Sequence, residues 1–167
     1  EFRRVLFRSY LILNATNASA SLSWGGAPTS TVFYNSTSSF MSTGGNYVAY
    51  CFASVSGYSS FGSYTGNGSA DGPFVFTGMR VRWVMCKRSD STGNWVLVDT
   101  ARKAYNVVDT NLYPNASNAE DNAFQIDSLS NGFKIRSSGT DGNANGGTYI
   151  YAAFAENPFS RSEEHTS

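Results

Sequence analysis

Serine hydroxyls are potential nucleophiles throughout this chain of 167 residues, whereas histidine occurs once, as His165. A serine hydrolase needs a base within hydrogen-bond reach of its hydroxyl, and that base is usually histidine. His165 lies in a terminal segment that we interpret as foreign to the protein. Lys87, Lys103 and Lys134 could replace it, but none lies in an obviously apolar stretch that would lower its pKa. The sequence therefore predicts no catalytic residues.

Two neighbouring acids, Glu120 and Asp121, offer the carboxylates that glycoside hydrolysis requires. That chemistry needs two carboxyl groups facing each other, about 5–10 Å apart. Neighbours in an extended segment point in opposite directions, so the pair cannot act alone. We expect the acids to be solvated loop residues and turn caps, with Asp99 pairing to Arg102 on the surface. A partner carboxylate could come only from a distant acid, namely Asp71, Asp99, Asp127 or Glu156.

Residues 141–146 read Asp-Gly-Asn-Ala-Asn-Gly, the first half of a calcium-binding loop. The bidentate acid expected at the twelfth position is replaced by Ala152, and no flanking helices are indicated. Cys51 and Cys86 have neither histidine partners nor CxxC spacing, so they do not form a zinc site. The sequence therefore predicts an Asn/Gly-rich turn, two buried free thiols and no metal or cofactor, with a Cys51–Cys86 disulfide as the alternative.

Aromatic residues are the remaining candidates for binding. Residues 57–64 space Tyr58, Phe61 and Tyr64 three positions apart, which places consecutive rings on opposite faces of a strand. We expect Phe61 to face the core and the two tyrosines to face water. Tyr58, Tyr64 and Trp95 could then stack on sugar rings, although packing against a preceding module is the favoured interpretation.

The composition excludes several classes of protein. The chain is 15% aromatic and 14% charged, with formal net charge +0, which argues against disorder and against binding to nucleic acid or anionic lipid. No apolar run approaches the roughly 18 residues that a membrane span needs. We therefore expect a globular chain with neither nucleic acid nor membrane as a partner.

The two ends of the chain are related through their codons. One set of codons for residues 161–167 has a reverse complement that encodes Arg-Arg-Val-Leu-Phe-Arg-Ser, the sequence of residues 3–9. A protein has no physical reason to encode its own antisense. We interpret residues 1–9 and 161–167 as translated sequencing adapter, not native protein, and exclude them from reasoning about the fold.

Internal similarity organises the residues between these ends. Residues 44–53 match 146–155 at an offset of 102, Leu11 and residues 14–18 match Leu112 and 115–119 at 101, and Phe33 matches Phe133 at 100. Matches in one order at nearly one offset predict a tandem repeat of about 100 residues. Residues 10–56 are then the C-terminal remnant of a preceding repeat, and residues 57–160 are one complete repeat.

Short runs of β-branched and aromatic residues between Gly, Asn and Ser clusters predict strands and no long helix. Val81, Trp83 and Met85 alternate with the residues between them, which indicates one buried face and one mixed face. The fold class is all-β, an antiparallel β-sandwich of jelly-roll or concanavalin-like, lectin-like topology with unspecified strand order. The predicted strands are 60–65, 73–77, 79–87, 94–99, 132–136 and 148–155.

Residues 61–78, 83–90, 99–102 and 129–136 closely resemble a tandem β-rich module of unknown function from structural and tail-associated proteins of tailed bacteriophages, especially marine ones. The resemblance implies a domain of unknown function in the virion, in a tail fibre or tail-associated appendage, that serves as a spacer or adhesin. It implies neighbouring repeats as partners and a homotrimeric fibre as the assembly. It supplies no catalytic residues.

Two other functions are kept as alternatives. A lectin-like module would bind host-surface glycans through Tyr58, Tyr64 or Trp95. A polysaccharide-degrading enzyme would need paired acids in a cleft. The primary interpretation remains a non-catalytic structural module.

Overall fold

The structure is a computed structural model that describes residues 9–21, 29, 31–32 and 45–158. Its strands are β1 Ser9–Tyr10, β2 Ala20–Ser21, β3 Ser59–Thr65, β4 Phe74–Phe76, β5 Val81–Arg88, β6 Trp95–Asp99, β7 Asn111–Leu112, β8 Ile126–Leu129, β9 Gly132–Ile135 and β10 Thr148–Ala155. One four-residue helix, α1, spans Thr140–Asn143. The prediction of an all-β fold is confirmed.

The strands form antiparallel sheets. Five strands pair in the order β3-β10-β5-β6-β7, three pair in the order β4-β9-β8, and β1 pairs with β2. β5 and β6 form the hairpin that the turn residues at 92–94 predict. The five-stranded and three-stranded sheets share one hydrophobic core, an arrangement consistent with a β-sandwich.

The core lies between the inner faces of these two sheets. Val84 and Val98 of the larger sheet are fully buried, as are Phe133 and Ile135 of the smaller sheet. Burying one such side chain contributes roughly 1.5–3 kcal/mol. Because side chains alternate along a strand, the same pleat that buries Val84 turns Trp83 to the outer face of the larger sheet.

The described residues contain one sandwich, built from 59–155, and no second copy of it. Residues 45–54 form no strand, although residues 46–53 match the whole of β10 in sequence. Residues 9–21 form a short hairpin through β1 and β2, here called the N-terminal hairpin. Phe33 and Gly44, which contribute to the sequence match, lie outside the described residues.

Candidate functional site

The outer face of the larger sheet carries aromatic side chains from three strands and from the chain that precedes them. Phe154 of β10 lies 5.9 Å from Phe61 of β3 and 5.5 Å from Trp83 of β5, between ring centroids. Phe52 packs on Phe61 and Phe154 at 6.0 and 6.1 Å, and Tyr58 meets Phe154 edge-on at 6.1 Å. These five residues, here called the aromatic cluster, fix residues 52–58 against the sheet.

The N-terminal hairpin lies against the β5–β6 end of the same sheet through backbone groups. The carbonyl of Ile12 accepts a hydrogen bond from Nε1 of Trp95 at 2.9 Å. The carbonyl of Thr16 accepts one from the backbone N–H of Gly93 at 2.9 Å, and Ser19 donates its N–H to the carbonyl of Ser89 at 2.8 Å. These bonds depend on backbone position, so they fit any side chains that keep the hairpin geometry.

Lys87 joins the same contact from the outer face of β5. The residue is fully buried, and its Nζ donates to the carbonyls of Thr16 at 3.3 Å and Arg88 at 2.6 Å. Desolvation by burial lowers its pKa. The pKa of Lys87 is therefore lowered by tertiary burial, although the sequence around it is not obviously apolar and predicted no such shift. Its ammonium bonds to backbone carbonyls here, as a docking group rather than as a base.

A second hairpin repeats the local geometry of the N-terminal hairpin. The N–H of Ala15 bonds to the carbonyl of Ile12 at 3.3 Å, and the N–H of Ala116 bonds to the carbonyl of Tyr113 at 3.1 Å. Tyr10 pairs with Ala20, and Asn111 pairs with Asp121. Each residue of one set lies 101 positions from its counterpart. Residues 111–121 are here called the module hairpin.

The module hairpin contacts the start of β6 through a side chain. Oδ1 of Asn115 accepts the backbone N–H of Trp95 at 2.8 Å, and its Nδ2 donates to Oδ1 of Asn94 at 2.9 Å. Trp95 is thus held by the module hairpin at its backbone and by the N-terminal hairpin at its indole. Asn14, the counterpart of Asn115 in the N-terminal hairpin, is exposed.

Residues 45–47 also share a local feature with their counterparts at 147–149. A Cβ placed on Gly45 would lie 2.8 Å from the hydroxyl oxygen of Tyr47, and one placed on Gly147 would lie 3.1 Å from a ring carbon of Tyr149. In both places a tyrosine therefore lies over the glycine two positions before it. The absence of a side chain on the glycine leaves room for the tyrosine ring in both places.

Two of the three residues predicted to stack on sugars are buried. Tyr64 stacks on Tyr149 at 5.0 Å and donates its hydroxyl to the carbonyl of Gly142 at 2.7 Å. Trp95 is 8% exposed and is covered by the N-terminal hairpin. Tyr58 is 38% exposed. The predicted faces of β3 are wrong, because the pairing of Tyr64 with Tyr149 turns Tyr64 inward and Phe61 outward.

The acids are occupied by partners other than those expected. Glu120 pairs with Arg102, and both oxygens of the Asp121 carboxylate accept the hydroxyl of Tyr113, the nearer one at 2.9 Å. Asp99 pairs with Arg82 at 3.0 Å, so the predicted Asp99–Arg102 pair is wrong. These contacts are ion pairs and turn bonds that hold the loops of the fold.

The loop of residues 141–146 is also held by internal bonds. The carboxylate of Asp141 accepts the backbone N–H and Nδ2 of Asn94 at 2.9 and 2.8 Å. Nδ2 of Asn143 donates to the carbonyls of Ser69 at 2.7 Å and Ser137 at 2.9 Å. Within 9–21 and 45–158, no group of three or more His, Cys, Asp or Glu residues could hold a metal ion.

The two cysteines differ in environment, and both are free thiols. Cys86 is fully buried in the core, and desolvation raises its pKa to about 12. Cys51 is exposed, so the prediction that both thiols are buried is wrong for Cys51. In the described part of the chain, no helix is long and apolar enough to cross a membrane.

Comparison with known proteins identifies a family but no characterised relative. A family model described as a domain of unknown function (DUF7483) matches residues 3–158. No curated protein matches the chain. No solved structure matches it either.

Proposed function

We propose that this chain, which belongs to the family of the domain of unknown function DUF7483, is a non-catalytic structural module repeated along a longer protein. The observation that carries the proposal is the equivalence of the two hairpins, whose backbone pairing and turn bond recur at an offset of 101. The recurrence places the same backbone bonds at the same positions of the two hairpins, which adds to the sequence match between them.

The proposal accounts for the lack of a strand at 45–54. β10 lies between β3 and β5, and both neighbours belong to the same sandwich. In an array, residues 46–53 form the corresponding last strand of the preceding module, between strands that come before residue 1. The domain limits are then 10–56 for the remnant and 57–160 for the complete module, with 1–9 and 161–167 as adapter.

The role proposed for the array is mechanical, as a stiff spacer. Sandwiches joined by docked hairpins and aromatic contacts form a stiff series whose length scales with the number of modules. The resemblance to tail-associated bacteriophage proteins makes this series a spacer or adhesin segment in a tail fibre or appendage of the virion, with jelly-roll or lectin-like modules and a trimeric assembly.

The uninterrupted gene tests the proposal. We expect it to encode further copies of the module on either side of residues 10–158 and to lack the codons of residues 1–9 and 161–167. Proteins with two, three and four copies should lengthen by a constant increment in small-angle scattering. A gene with a single copy, or an envelope that does not lengthen regularly, would refute the repeated spacer.

Polymer hydrolysis provides a second measurement. The acids of the described residues are engaged in ion pairs and turn bonds, as Glu120 and Asp121 illustrate. We therefore expect no release of reducing ends from polysaccharides. Release above that of a heat-unfolded sample would contradict the non-catalytic assignment.

A further inference from the structure

We propose that the module hairpin, residues 111–121, is the docking surface for the following copy of the module. This inference rests on the proposed function and names the contact between consecutive modules. The carbonyls of Tyr113 and Ser117 accept hydrogen bonds from the Trp95 indole and the Lys87 ammonium of that following copy.

The mapping follows from the contact already present at the other end of the module. The N-terminal hairpin uses three backbone groups, the carbonyls of Ile12 and Thr16 and the N–H of Ser19, to hold the β5–β6 end. The two hairpins share their turn bond and the pairing of Tyr10 with Ala20 at the position of Asn111 with Asp121, so we infer that the same three groups take the same directions in the module hairpin. Their counterparts, 101 positions later, are Tyr113, Ser117 and Glu120.

These counterparts are available. Residues 116–121 are exposed. The carbonyl of Ser117 and the backbone N–H of Glu120 bond to no other residue in the described ranges. The carbonyl of Tyr113 accepts the N–H of Ala116, just as the carbonyl of Ile12 accepts that of Ala15 while also accepting the Trp95 indole. A carbonyl oxygen has two lone pairs, so a second donor can be accommodated.

Each hairpin has two faces that serve different modules. In the module hairpin, Asn115 holds Trp95 of its own module. In the N-terminal hairpin, the opposite groups hold Trp95 and Asn14 is exposed, so in an array Asn14 would face the module to which its own hairpin belongs. A hairpin with both faces occupied links two consecutive modules. Such a contact is head-to-tail, and it generates a linear series rather than a closed pair.

The occupant is another copy because the receiving groups are specific. Trp95 and Lys87 are both buried beneath the N-terminal hairpin, and both donate to its carbonyls. Leaving such donors buried without acceptors costs about 1–3 kcal/mol for a neutral group and more for a charged one. In a following module, the Trp95 indole and the Lys87 ammonium would be exposed to solvent, or buried without acceptors, unless a hairpin of this geometry covered them.

A hairpin exchange within the complete chain tests the inference. In one variant, residues 10–20 take the sequence of residues 111–121. In a matched control, they take the sequence of residues 125–135, which also form a hairpin of this fold through β8 and β9. Hydrogen exchange of the Trp95 indole N–H and the Gly93 N–H is followed by NMR. We expect rates within threefold of the parent for the exchange variant and at least tenfold faster for the control.

Fast exchange in both variants would show that residues 111–121 do not dock on the β5–β6 end. Slow exchange in both would show that docking does not require the sequence of residues 111–121. Amide protection of Val84 in the core reports whether the sandwich is folded. If the exchange variant does not fold, the double substitution Ile12→Tyr with Thr16→Ser provides the same comparison with a smaller change. A gene with one module would refute the proposed repeat but not the docking result, because the exchange experiment measures docking within a single chain.

Discussion

Polar side chains in this protein link separate segments of the chain through hydrogen bonds, and Asn143 is the clearest case. The residue is fully buried, and its amide bonds to the carbonyls of Ser69 and Ser137. Its Oδ1 accepts the backbone N–H of Asn67 at 2.8 Å. One side chain thus holds three segments of loop that cross the end of the sandwich.

Replacement of Asn143 with alanine should lower the free energy of unfolding by about 3 kcal/mol. The substitution removes several buried hydrogen bonds and leaves their partners unsatisfied. Urea denaturation measures the change. Asn145→Ala is the control, because Asn145 is exposed and its replacement should cost less than about 0.5 kcal/mol. An equal loss of unfolding free energy in the two variants would show that the side chain of Asn143 does not link these loops.

The sequence could not distinguish Asn143 from Asn145. Both lie in the same Asp-Gly-Asn-Ala-Asn-Gly segment, where the pattern predicts a turn. The turn is present, around the short helix α1, but which amide points inward depends on Ser69 and Ser137. Those contacts are set by tertiary structure and leave no local signal.

The buried thiol of Cys86 predicts a loss of stability at alkaline pH. Its pKa in the folded protein is about 12 because of desolvation, above the ordinary value of about 8.5 for an unfolded chain. The folded state therefore keeps a proton that the unfolded state releases. The free energy of unfolding should therefore fall as the pH rises above about 9, with a limiting slope of about 1.4 kcal/mol per pH unit that ends near the folded-state pKa of about 12.

Two variants isolate that thiol. Cys86→Ala should flatten the decline between about pH 8.5 and 9.5, where most tyrosines of the unfolded chain are still protonated. Cys51→Ala should keep the parental slope, since Cys51 is exposed. Urea denaturation at half-unit pH intervals provides the slopes. A parental slope in Cys86→Ala would assign the pH dependence to other groups.

At the level of elements, alternation and turn chemistry predicted most strands to within two residues. β5, β6 and β10 match their predicted ranges closely because each is a run rich in β-branched and aromatic residues that begins within three positions of a glycine or asparagine. β7 has two residues, and β8 carries Asp127 and Ser128 between its apolar ends. Neither presents enough apolar pattern to be read as a strand, so both were missed.

Gly132 shows what the contact between two strands requires. β4 pairs with β9, and Gly132 lies opposite Phe76. A Cβ at Gly132 would lie 2.2 Å from the carbonyl oxygen of Val75, which is backbone and cannot rotate away. The absence of a side chain here is therefore a condition for pairing of the smaller sheet.

Gly132→Ala should destabilise the protein by about 2–3 kcal/mol by separating β4 from β9. The matched control is Gly139→Ala, where the nearest atom to a new Cβ is the carbonyl oxygen of Ala123 at 3.5 Å. That change should shift the free energy of unfolding by less than about 1 kcal/mol. Thermal unfolding followed by circular dichroism compares them. A neutral Gly132→Ala would mean that the β4–β9 contact is not close-packed.

At the scale of the whole molecule, the sequence offset pointed to related segments but not to how they meet. The match of residues 14–18 with 115–119 indicated related sequence, and the hairpins at both places are seen only in the structure. The N-terminal hairpin covers the Trp95 indole, and the module hairpin holds the Trp95 backbone. This arrangement depends on the three-dimensional path of the chain. The burial of Trp95 and Lys87 follows from that path, which the local sequence does not specify.

Phe52 should determine how firmly residues 45–58 lie on the sandwich. Phe52 is 67% exposed as a residue, but its ring packs against Phe61 and Phe154, whereas Tyr50 is 82% exposed. Phe52→Ala removes these ring contacts, worth about 0.5–1.5 kcal/mol each.

Because local opening precedes cleavage, Phe52→Ala should accelerate chymotryptic cleavage between residues 47 and 58 about tenfold, with the melting temperature of the sandwich unchanged. Tyr50→Ala should leave the cleavage rate within twofold of the parent at the remaining sites. If both variants were cleaved equally fast, the aromatic cluster would not anchor this segment, and the contact expected between consecutive modules would depend on the hairpins alone.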